Sequence, residues 1–190
     1  MNLAPPDWVH AESFGAIKHY DYTVDDTDGE VIFFYGGVFS NFYPSMIIMP
    51  HPWRETETVY ETVEHWYQAN KATNEFDHEF VRTAHDAALS KSRGQKIELV
   101  DNWDVDKFDI MLAGVRQKFK NVFLRRELLN TGERYIAEDS PSDFIWGLWN
   151  PRTGRYNGMN LLGECLMRVR EEIQHSLEQI RIESTTKQGA

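Results

Sequence analysis

The chain has 190 residues, a length that suits one folded domain. Hydrophobic residues make up 41% of it and aromatic residues 13%, a composition that excludes disorder for most of the chain. The formal net charge of −10 argues against a polybasic nucleic-acid binder, whose affinity comes from phosphate neutralisation, and against docking on an anionic membrane. An enzyme that binds one nucleotide in a small basic site stays compatible with this charge.

The cysteine content and the apolar runs indicate the compartment. Cys165 is the single cysteine, so the chain can form neither an internal disulfide nor a cysteine-rich zinc site. No apolar run approaches the roughly 20 residues of a membrane helix, and residues 1–10 lack the basic start and apolar core of a signal peptide. We expect a cytoplasmic protein in which Cys165 is a core residue rather than a nucleophile.

Short apolar runs in the first half of the chain predict three strands, over residues 31–35, 46–49 and 56–60. The first run ends at two glycines and the second at Pro50, residues that interrupt strands. One helix is expected to begin at Thr62, a good N-cap residue, and another to cover residues 76–89. The apolar stripe of this second helix consists of Phe76, Phe80, Ala84 and Ala87.

The second half of the chain predicts more helix than strand. Asp104 is expected to cap the clearest helix, in which apolar residues recur at steps of three and four. These residues are Val105, Phe108, Leu112, Val115 and Phe119. A shorter helix is predicted over 122–129, a strand over 135–137, and a long last helix after the cap Asn160. The apolar seam of the last helix is Leu162, Leu166, Val169, Ile173, Leu177 and Ile180.

These elements predict an α+β fold, in which a single helix-rich domain contains a few short strands. We expect the domain to cover residues 31–182, after an N-terminal extension over 1–30. Residues 183–190 are polar and are expected to form a frayed tail.

Three polar residues share one face of the first predicted helix. Glu64, Gln68 and Lys71 are spaced i, i+4 and i+7. A solvated helix face explains the spacing alone. Trp66 and Tyr67 adjoin this face, however, and a carboxylate and an amine near aromatic rings can have shifted pKa values. A lysine that loses its proton in such a pocket can attack an aldehyde.

A turn rich in glycine follows the first strand. Gly36 and Gly37 allow a backbone to approach a ligand closely. Ser40 and Asn41 offer hydrogen bonds, and Phe39 could stack on a base. An ordinary turn between strands is the alternative. The P-loop and Rossmann glycine motifs are absent, which argues against ordinary P-loop NTPases and Rossmann dehydrogenases.

Three acidic residues precede a tryptophan in the second half of the chain. Glu138, Asp139 and Asp143 lie shortly before Trp146. Carboxylates can stabilise an oxocarbenium-like transition state or act as a base toward water. An acidic turn with a packed tryptophan is the alternative.

Basic residues and histidines give weaker signals. The basic groups are Arg116, Lys118, Lys120, Arg125 and Arg126, and separately Lys91, Arg93 and Lys96. They could hold phosphates, but a solvated face is the simpler interpretation. No metal site is predicted, because the histidines lack the partners of a metal-binding motif. The histidines considered are His65, His78 and His85.

Five segments, in this order, resemble the motifs of the NADAR (YbiA-like) family, and the resemblance covers roughly residues 31–175. The matching segments are FSNFYP at 39–44, TVEHWYQANKA at 62–72, Trp103-Asp104 leading to Lys118-Phe119, Asp143 with Trp146-Gly147, and NLLGECLM at 160–167. One departure is the segment 148–153, which stands where the family usually has a glycine-rich run. The first 30 residues match no part of the family.

The resemblance implies an α+β domain that cleaves N-glycosidic bonds at C1 of a ribose, with no metal or other cofactor. Some family members remove ADP-ribose from guanine in nucleic acid, and others hydrolyse unstable riboflavin-pathway intermediates. We therefore expect an ADP-ribosyl-guanine glycohydrolase that acts on an ADP-ribose-containing nucleotide or on ADP-ribosylated nucleic acid. The alternatives are an N-glycosidase of phosphoribosylamino-pyrimidines and a non-catalytic module that binds ADP-ribose or NAD.

The resemblance also implies site residues. The expected catalytic residues are Glu64, Lys71, Trp103 and Asp143. The motifs imply that substrate is bound by Ser40, Asn41, Gln68, Trp146, Gly147 and Asn160. The glycine-rich turn adds Gly37 and Phe39 as candidate substrate-binding residues.

Overall fold

The computed structural model describes residues 25–26, 31–149 and 152–188. Over these residues the chain forms six α-helices and a few short strands, so the predicted α+β class is confirmed. Within the same residues, no helix is both long enough and apolar enough to cross a membrane. Most of the predicted extension over residues 1–30 lies outside the described part.

In the described part of the chain, five short strands form two small sheets. They are β1 (Asp25–Asp26), β2 (Val31–Phe34), β3 (Ile47–Pro50), β4 (Glu57–Tyr60) and β5 (Tyr135–Glu138). In the first sheet β2 lies between β1 and β5, antiparallel to β1 and parallel to β5, with Phe34 opposite Glu138. The second sheet is the antiparallel pair β3–β4. The predicted strands are therefore confirmed with small shifts at their ends.

The helices surround a buried central helix. They are α1 (Val63–Ala69), α2 (Glu75–Arg82), α3 (Ala87–Gly94), α4 (Trp103–Lys118), α5 (Val122–Leu129) and α6 (Leu161–Gln188). Helix α1 packs against α2, α3 and α4, and α6 packs against α4 and β5. Every residue of α1 is buried. Glu64 and Gln68 therefore do not lie on a solvated helix face.

Strand β2 is buried on both faces, which explains why its sequence is continuously apolar. Ile32 and Phe34 belong to the main core beneath the helices. Val31 and Phe33 belong to a second, smaller core on the other face. That core is completed by Ala137, Leu148 and Tyr156.

Two helix starts illustrate what a capping signal predicts. Thr62 caps α1 as predicted, and its side chain accepts a hydrogen bond from the backbone N–H of His65 at 3.2 Å. The prediction that Asp104 caps α4 is wrong. Asn102 occupies the cap position with φ 56°, and Asp104 lies in the first turn, where it pairs with Lys107.

The single helix predicted over residues 76–89 is wrong, because this segment forms α2 and α3 with a break between them. The Asp86 side chain accepts a hydrogen bond from the backbone N–H of Leu89 at 2.7 Å and starts α3. Phe76 is 80% exposed. His78 and Val81 are the buried residues of α2 instead.

The last helix is longer than its buried part. Its seam is buried up to Val169, whereas Leu177 and Ile180 are 45% and 63% exposed. The helix continues to Gln188, so the frayed tail predicted from residue 183 is wrong for residues 183–188. Cys165 is buried in the main core, as predicted.

Candidate active site

A cavity of about 450 Å³ is lined mainly by three parts of the chain that are distant in sequence, with Met111 of α4 and Leu162 of α6 completing it. The three parts are the turn after β2, helix α1 together with one residue of α3, and the segment that follows β5. The polar and aromatic residues that line it include Ser40, Asn41, Glu64, Tyr67, Gln68, Lys91, Glu138, Asp143 and Trp146. A cavity that combines aromatic rings with a few converging polar groups is the usual form of a small-molecule site.

Glu64 and Gln68 form the wall that α1 contributes. The backbone N–H of Glu64 donates to the carbonyl of Asn41 at 3.1 Å, which ties the start of α1 to the turn after β2. Gln68 Nε2 donates to Glu64 Oε1 at 2.8 Å. Burial raises the pKa of the Glu64 carboxyl, and the hydrogen bond from Gln68 and the charges of Lys91 and Lys71 oppose that shift.

Lys71 lies just past the end of α1, behind an aromatic wall of the cavity. Its Nζ is 5.2 Å from the centre of the Tyr67 ring and 5.4 Å from that of the Trp103 ring. Burial lowers the pKa of Lys71, and the carboxyl of Glu64 opposes this shift. The neutral amine, which is the nucleophilic form, is therefore more populated than in an exposed lysine.

Asp143 and Trp146 form the wall that follows β5. The Asp143 carboxylate is held at Oδ1 by the backbone N–H groups of Ile145 and Trp146, each at 3.0 Å. The Trp146 ring packs against the Tyr67 ring with centres 5.1 Å apart. A Cβ at Gly147 would lie 2.5 Å from the Asp143 carbonyl. Only glycine fits this close approach, which fixes the turn that carries Asp143.

A buried lysine of α4 supports the turn after β2. Lys118 is 2% exposed, and its Nζ donates to the Ser40 carbonyl at 2.7 Å. Burial lowers the pKa of Lys118 to about 7. The neighbouring Asn41 donates to Met111 Sδ at 3.1 Å, and its Oδ1 is buried without a hydrogen-bond partner among the described residues. This wall therefore contains a buried acceptor that the described residues leave unsatisfied.

The comparison with known families decides the identity of this domain. The model described as the NADAR domain matches residues 33–174. The chain belongs to the NADAR family. The resemblance found in the sequence motifs is thereby confirmed.

Relatives of this NADAR domain include named N-glycosidases and riboflavin-biosynthesis proteins. N-glycosidase Npun_R5314 of Nostoc punctiforme is 36% identical over 147 residues, which cover 74% of this chain and 88% of that protein. The riboflavin biosynthesis protein PYRR of Zea mays is 33% identical over 175 residues, which cover 83% of this chain and 27% of that protein. The NMR structure of the Escherichia coli protein YbiA matches with a TM-score of 0.67 and 28% identity, covering 90% of this chain and 95% of that chain.

Most of the predicted site residues of this NADAR domain do line the cavity. They are Gly37, Ser40, Asn41, Glu64, Gln68, Asp143 and Trp146. Lys71, Trp103, Gly147 and Asn160 lie behind the walls. Trp103 packs against Tyr67 with ring centres 5.0 Å apart, and Asn160 Oδ1 accepts from the backbone N–H of Glu138 at 3.0 Å.

Phe39 is a predicted site residue whose side chain points away from the cavity into the core. Its ring is buried in the main core, 5.8 Å from the ring of Phe34. The predicted stacking of Phe39 on a base is therefore wrong, because the short helical turn Gly37–Phe39 directs this side chain inward. Its contribution to the site is the packing that supports the turn.

The sequence prediction omits two charged residues that line the cavity, Lys91 and Glu138. Lys91 belongs to a basic group for which a solvated face is the simpler interpretation, and no spacing singles it out. Glu138 belongs to the acidic cluster before Trp146, and this cluster is the sequence feature that could have identified it. Lys118 belongs to the other basic group, and the solvated-face interpretation is wrong for it because its side chain is buried.

His51, His78 and Glu79 bring possible metal ligands within 4.8 Å of one another outside this cavity, a cluster that the sequence did not predict. The backbone N–H of Trp53 donates to His51 Nδ1 at 3.2 Å. His51 Nε2 must then carry the ring proton, which it donates to Glu79 at 3.2 Å. Arg82 donates two hydrogen bonds of 2.7 Å to the same carboxylate. We therefore interpret the cluster as a structural link between β3–β4 and α2.

Proposed function

We propose that this chain is an N-glycosidase that hydrolyses the bond between C1 of a ribose and a base nitrogen, and that its substrate is ADP-ribosylated guanine in nucleic acid or in a nucleotide. The observation that carries the proposal is a cavity that Glu64 lines and that has Lys71 behind its Tyr67 wall. Burial raises the pKa of Glu64 and lowers that of Lys71, so a proton moves between them at a smaller cost than between exposed groups. Relatives named N-glycosidase support the reaction class.

The cavity suits part of a nucleotide. Its volume of about 450 Å³ falls in the range of small-molecule sites. Tyr67 and Trp146 supply aromatic surface for a base or a ribose, and Lys91 supplies a positive charge for a phosphate.

In the proposed reaction, Lys71 acts as a covalent nucleophile, and its Nζ moves from behind the Tyr67 ring to reach a sugar in the cavity. The amino nitrogen that joins the base to C1 expels the ring oxygen, which takes up a proton, and a C1=N iminium remains. Lys71 Nζ adds to C1, and Glu64 takes the proton that the attacking nitrogen loses. The bond from C1 to the base nitrogen then breaks, the base leaves with a proton, and a Schiff base between C1 and Lys71 remains.

Water completes the reaction. It adds to C1 of the Schiff base, Glu64 returns its proton to the lysine nitrogen, and the sugar leaves as an aldehyde that closes to the free ribose. Asp143, held by two backbone N–H groups, is placed to orient the ribose hydroxyls. Trp103 keeps Lys71 in place by packing against Tyr67 on the side of the lysine.

A phosphoribosylamino-pyrimidine is the second candidate substrate. The relatives named riboflavin biosynthesis proteins favour it. The net charge of −10 also favours a small nucleotide over a nucleic acid, because a negative surface repels phosphate backbones. The same cavity and the same chemistry serve both substrates.

A product assay separates the two substrates. The purified chain is incubated with an oligonucleotide that carries ADP-ribosylated guanine and, separately, with the phosphoribosylamino-pyrimidine, and the released sugar is measured by mass spectrometry. We expect release of ADP-ribose by the wild type and by Lys96→Ala, an exposed control, and a loss of at least about a hundredfold in Lys71→Ala. Release from the pyrimidine alone would select the second candidate.

Failure to release sugar from either compound, by a folded wild-type protein, would contradict the N-glycosidase. Calorimetry with ADP-ribose then tests the remaining alternative, a module that binds ADP-ribose without cleaving it.

The salt dependence of binding separates the two candidate substrates further. The affinity for a nucleic-acid substrate falls steeply as salt rises, in proportion to the number of phosphates bound.

A further inference from the structure

The last residue of strand β5, Glu138, contributes a carboxyl group to the cavity. The proposed roles of Glu64, Lys71 and Asp143 do not involve this carboxyl. Side chains alternate along a strand, so Glu138 lies on the same face as Ile136, which belongs to the main core. Its neighbour across the sheet is Phe34, also in that core.

The backbone of Glu138 is hydrogen-bonded on both sides, whereas its carboxyl has no partner among the described residues. Its N–H donates to Asn160 Oδ1 at 3.0 Å, and its carbonyl accepts from the N–H of Leu148 at 2.7 Å. Asn160 in turn donates to the Ile136 carbonyl at 2.8 Å. Across residues 31–149 and 152–188, we find no hydrogen bond or ion pair to the Glu138 carboxyl. The carboxyl is therefore available to a substrate.

The charges around Glu138 hold a proton on it. Burial, together with the carboxylates of Asp143, Glu64 and Asp139, raises the pKa of Glu138 to about 8, and the charge of Lys91 opposes this shift. At neutral pH Glu138 is therefore mostly the neutral acid, the form that donates a proton.

The other two carboxyl groups in the cavity, those of Asp143 and Glu64, have hydrogen-bond partners that favour other roles. Asp143 Oδ1 accepts two backbone N–H groups, and Glu64 Oε1 accepts from Gln68 beside Lys71. Glu138 has neither kind of partner. The cavity thus combines one carboxyl that exchanges protons with the lysine, one held by the backbone, and one free acid.

We propose that Glu138 is a further catalytic residue, the proton donor to the base nitrogen as that nitrogen leaves C1. This inference rests on the proposed N-glycosidase. The electron pair of the breaking C1–N bond goes to the base nitrogen, which takes the proton from the Glu138 carboxyl. Glu138 regains a proton from the water that adds to C1, so the acid is restored in each turnover.

Replacement of Glu138 by glutamine tests this role, since the amide keeps the size and polarity of the side chain but donates no acidic proton. Base release is measured in a single turnover, from the substrate that the wild type cleaves, for wild type, Glu138→Gln and Glu133→Gln, an exposed control. We expect a fall of about 10²- to 10⁴-fold in Glu138→Gln, the usual contribution of a general acid, and no change in Glu133→Gln.

The pH profile and the leaving group separate catalysis from structure. The wild-type rate should fall as pH rises through about 8, because the donor loses its proton, and Glu138→Gln should lack this limb. Ribosylamines whose leaving amines carry electron-withdrawing groups need less protonation, so Glu138→Gln should lose less rate with them. A Glu138→Gln rate within about threefold of wild type, or an equal loss with every leaving group and an unchanged pH profile, would overturn the inference. A wild type that cleaves none of the compounds would instead contradict the proposed function.

Discussion

The half-buried Lys71 and the buried Lys118 differ in what surrounds them. Lys71 lies near the carboxyl of Glu64 and two aromatic rings. Lys118 has the Ser40 carbonyl as its hydrogen-bond partner and lies 5.6 Å from the centre of the Tyr43 ring. Burial lowers the pKa of both. Of the two, only Lys71 has its pKa influenced by a carboxyl, that of Glu64, so we propose Lys71 for the chemistry and Lys118 for the support of the turn after β2.

The pH dependence of the stability of a Lys118→Met variant tests whether burial lowers the pKa of this lysine. The folded pKa of about 7 lies below the ordinary value of 10.5, so between these pH values the unfolded chain holds a proton that the folded chain lacks. The free energy of unfolding of the wild type, minus that of the variant, should rise with pH over this window, by at most about 1.4 kcal/mol per pH unit. Urea unfolding at several pH values checks this. A difference that stays constant with pH would contradict the assignment.

The residues that sequence could predict are those whose partners are local. Glu64 and Gln68 lie one turn apart on α1, and their hydrogen bond follows from helical spacing. Lys91 and Glu138 enter the cavity from α3 and β5. Their place depends on how distant elements pack, which no local pattern encodes.

At the scale of elements, the contact between α1 and α3 sets the geometry of Glu64. Gly94 of α3 faces Gln68, and a Cβ built at Gly94 would lie 2.9 Å from Gln68 Cβ and meet the Gln68 side-chain oxygen still more closely. Gln68 in turn holds Glu64 through its Nε2. The position of the Glu64 carboxyl therefore depends on the absence of a side chain at Gly94, one helix away.

The Gly94→Ala variant should displace Gln68 and loosen the hydrogen bond to Glu64. We expect kcat to fall about tenfold, the equivalent of one lost hydrogen bond, and the free energy of unfolding to fall by about 1–3 kcal/mol through overpacking. Steady-state kinetics and urea unfolding measure both, with Gln95→Ala, an exposed neighbour, as the control. An unchanged kcat together with lower stability would show that Gln68 does not position Glu64.

Predictions of elements succeeded where one strong local signal was present. The buried run of β2 and the Thr62 cap of α1 are such signals. The prediction of one helix over residues 76–89 failed because it relied on the helical spacing of Phe76 and Phe80. Helix α2 packs on the core through His78 and Val81 instead. A polar residue such as His78 becomes a core residue only through its tertiary partner, the hydroxyl of Tyr60 at 3.0 Å.

At the scale of the whole molecule, the cavity exists because the fold joins its three walls. The N–H of Glu64 binds the Asn41 carbonyl, Lys118 binds the Ser40 carbonyl, and Asn160 binds the N–H of Glu138. The first two of these bonds tie the turn after β2 to α1 and α4, and the third ties β5 to the start of α6. The wall residues thus converge within one NADAR domain even though long stretches of sequence separate them.

The central claim is that Lys71 forms a covalent bond to C1 of the ribose. It is tested by adding borohydride during turnover of the substrate that the wild type cleaves and locating any added mass on the chain by peptide mass spectrometry. We predict that the reduced sugar adduct is found on Lys71 in the wild type and that it is absent in Lys71→Ala. Substrate turnover by the wild type with no adduct trapped on Lys71 would contradict the claim.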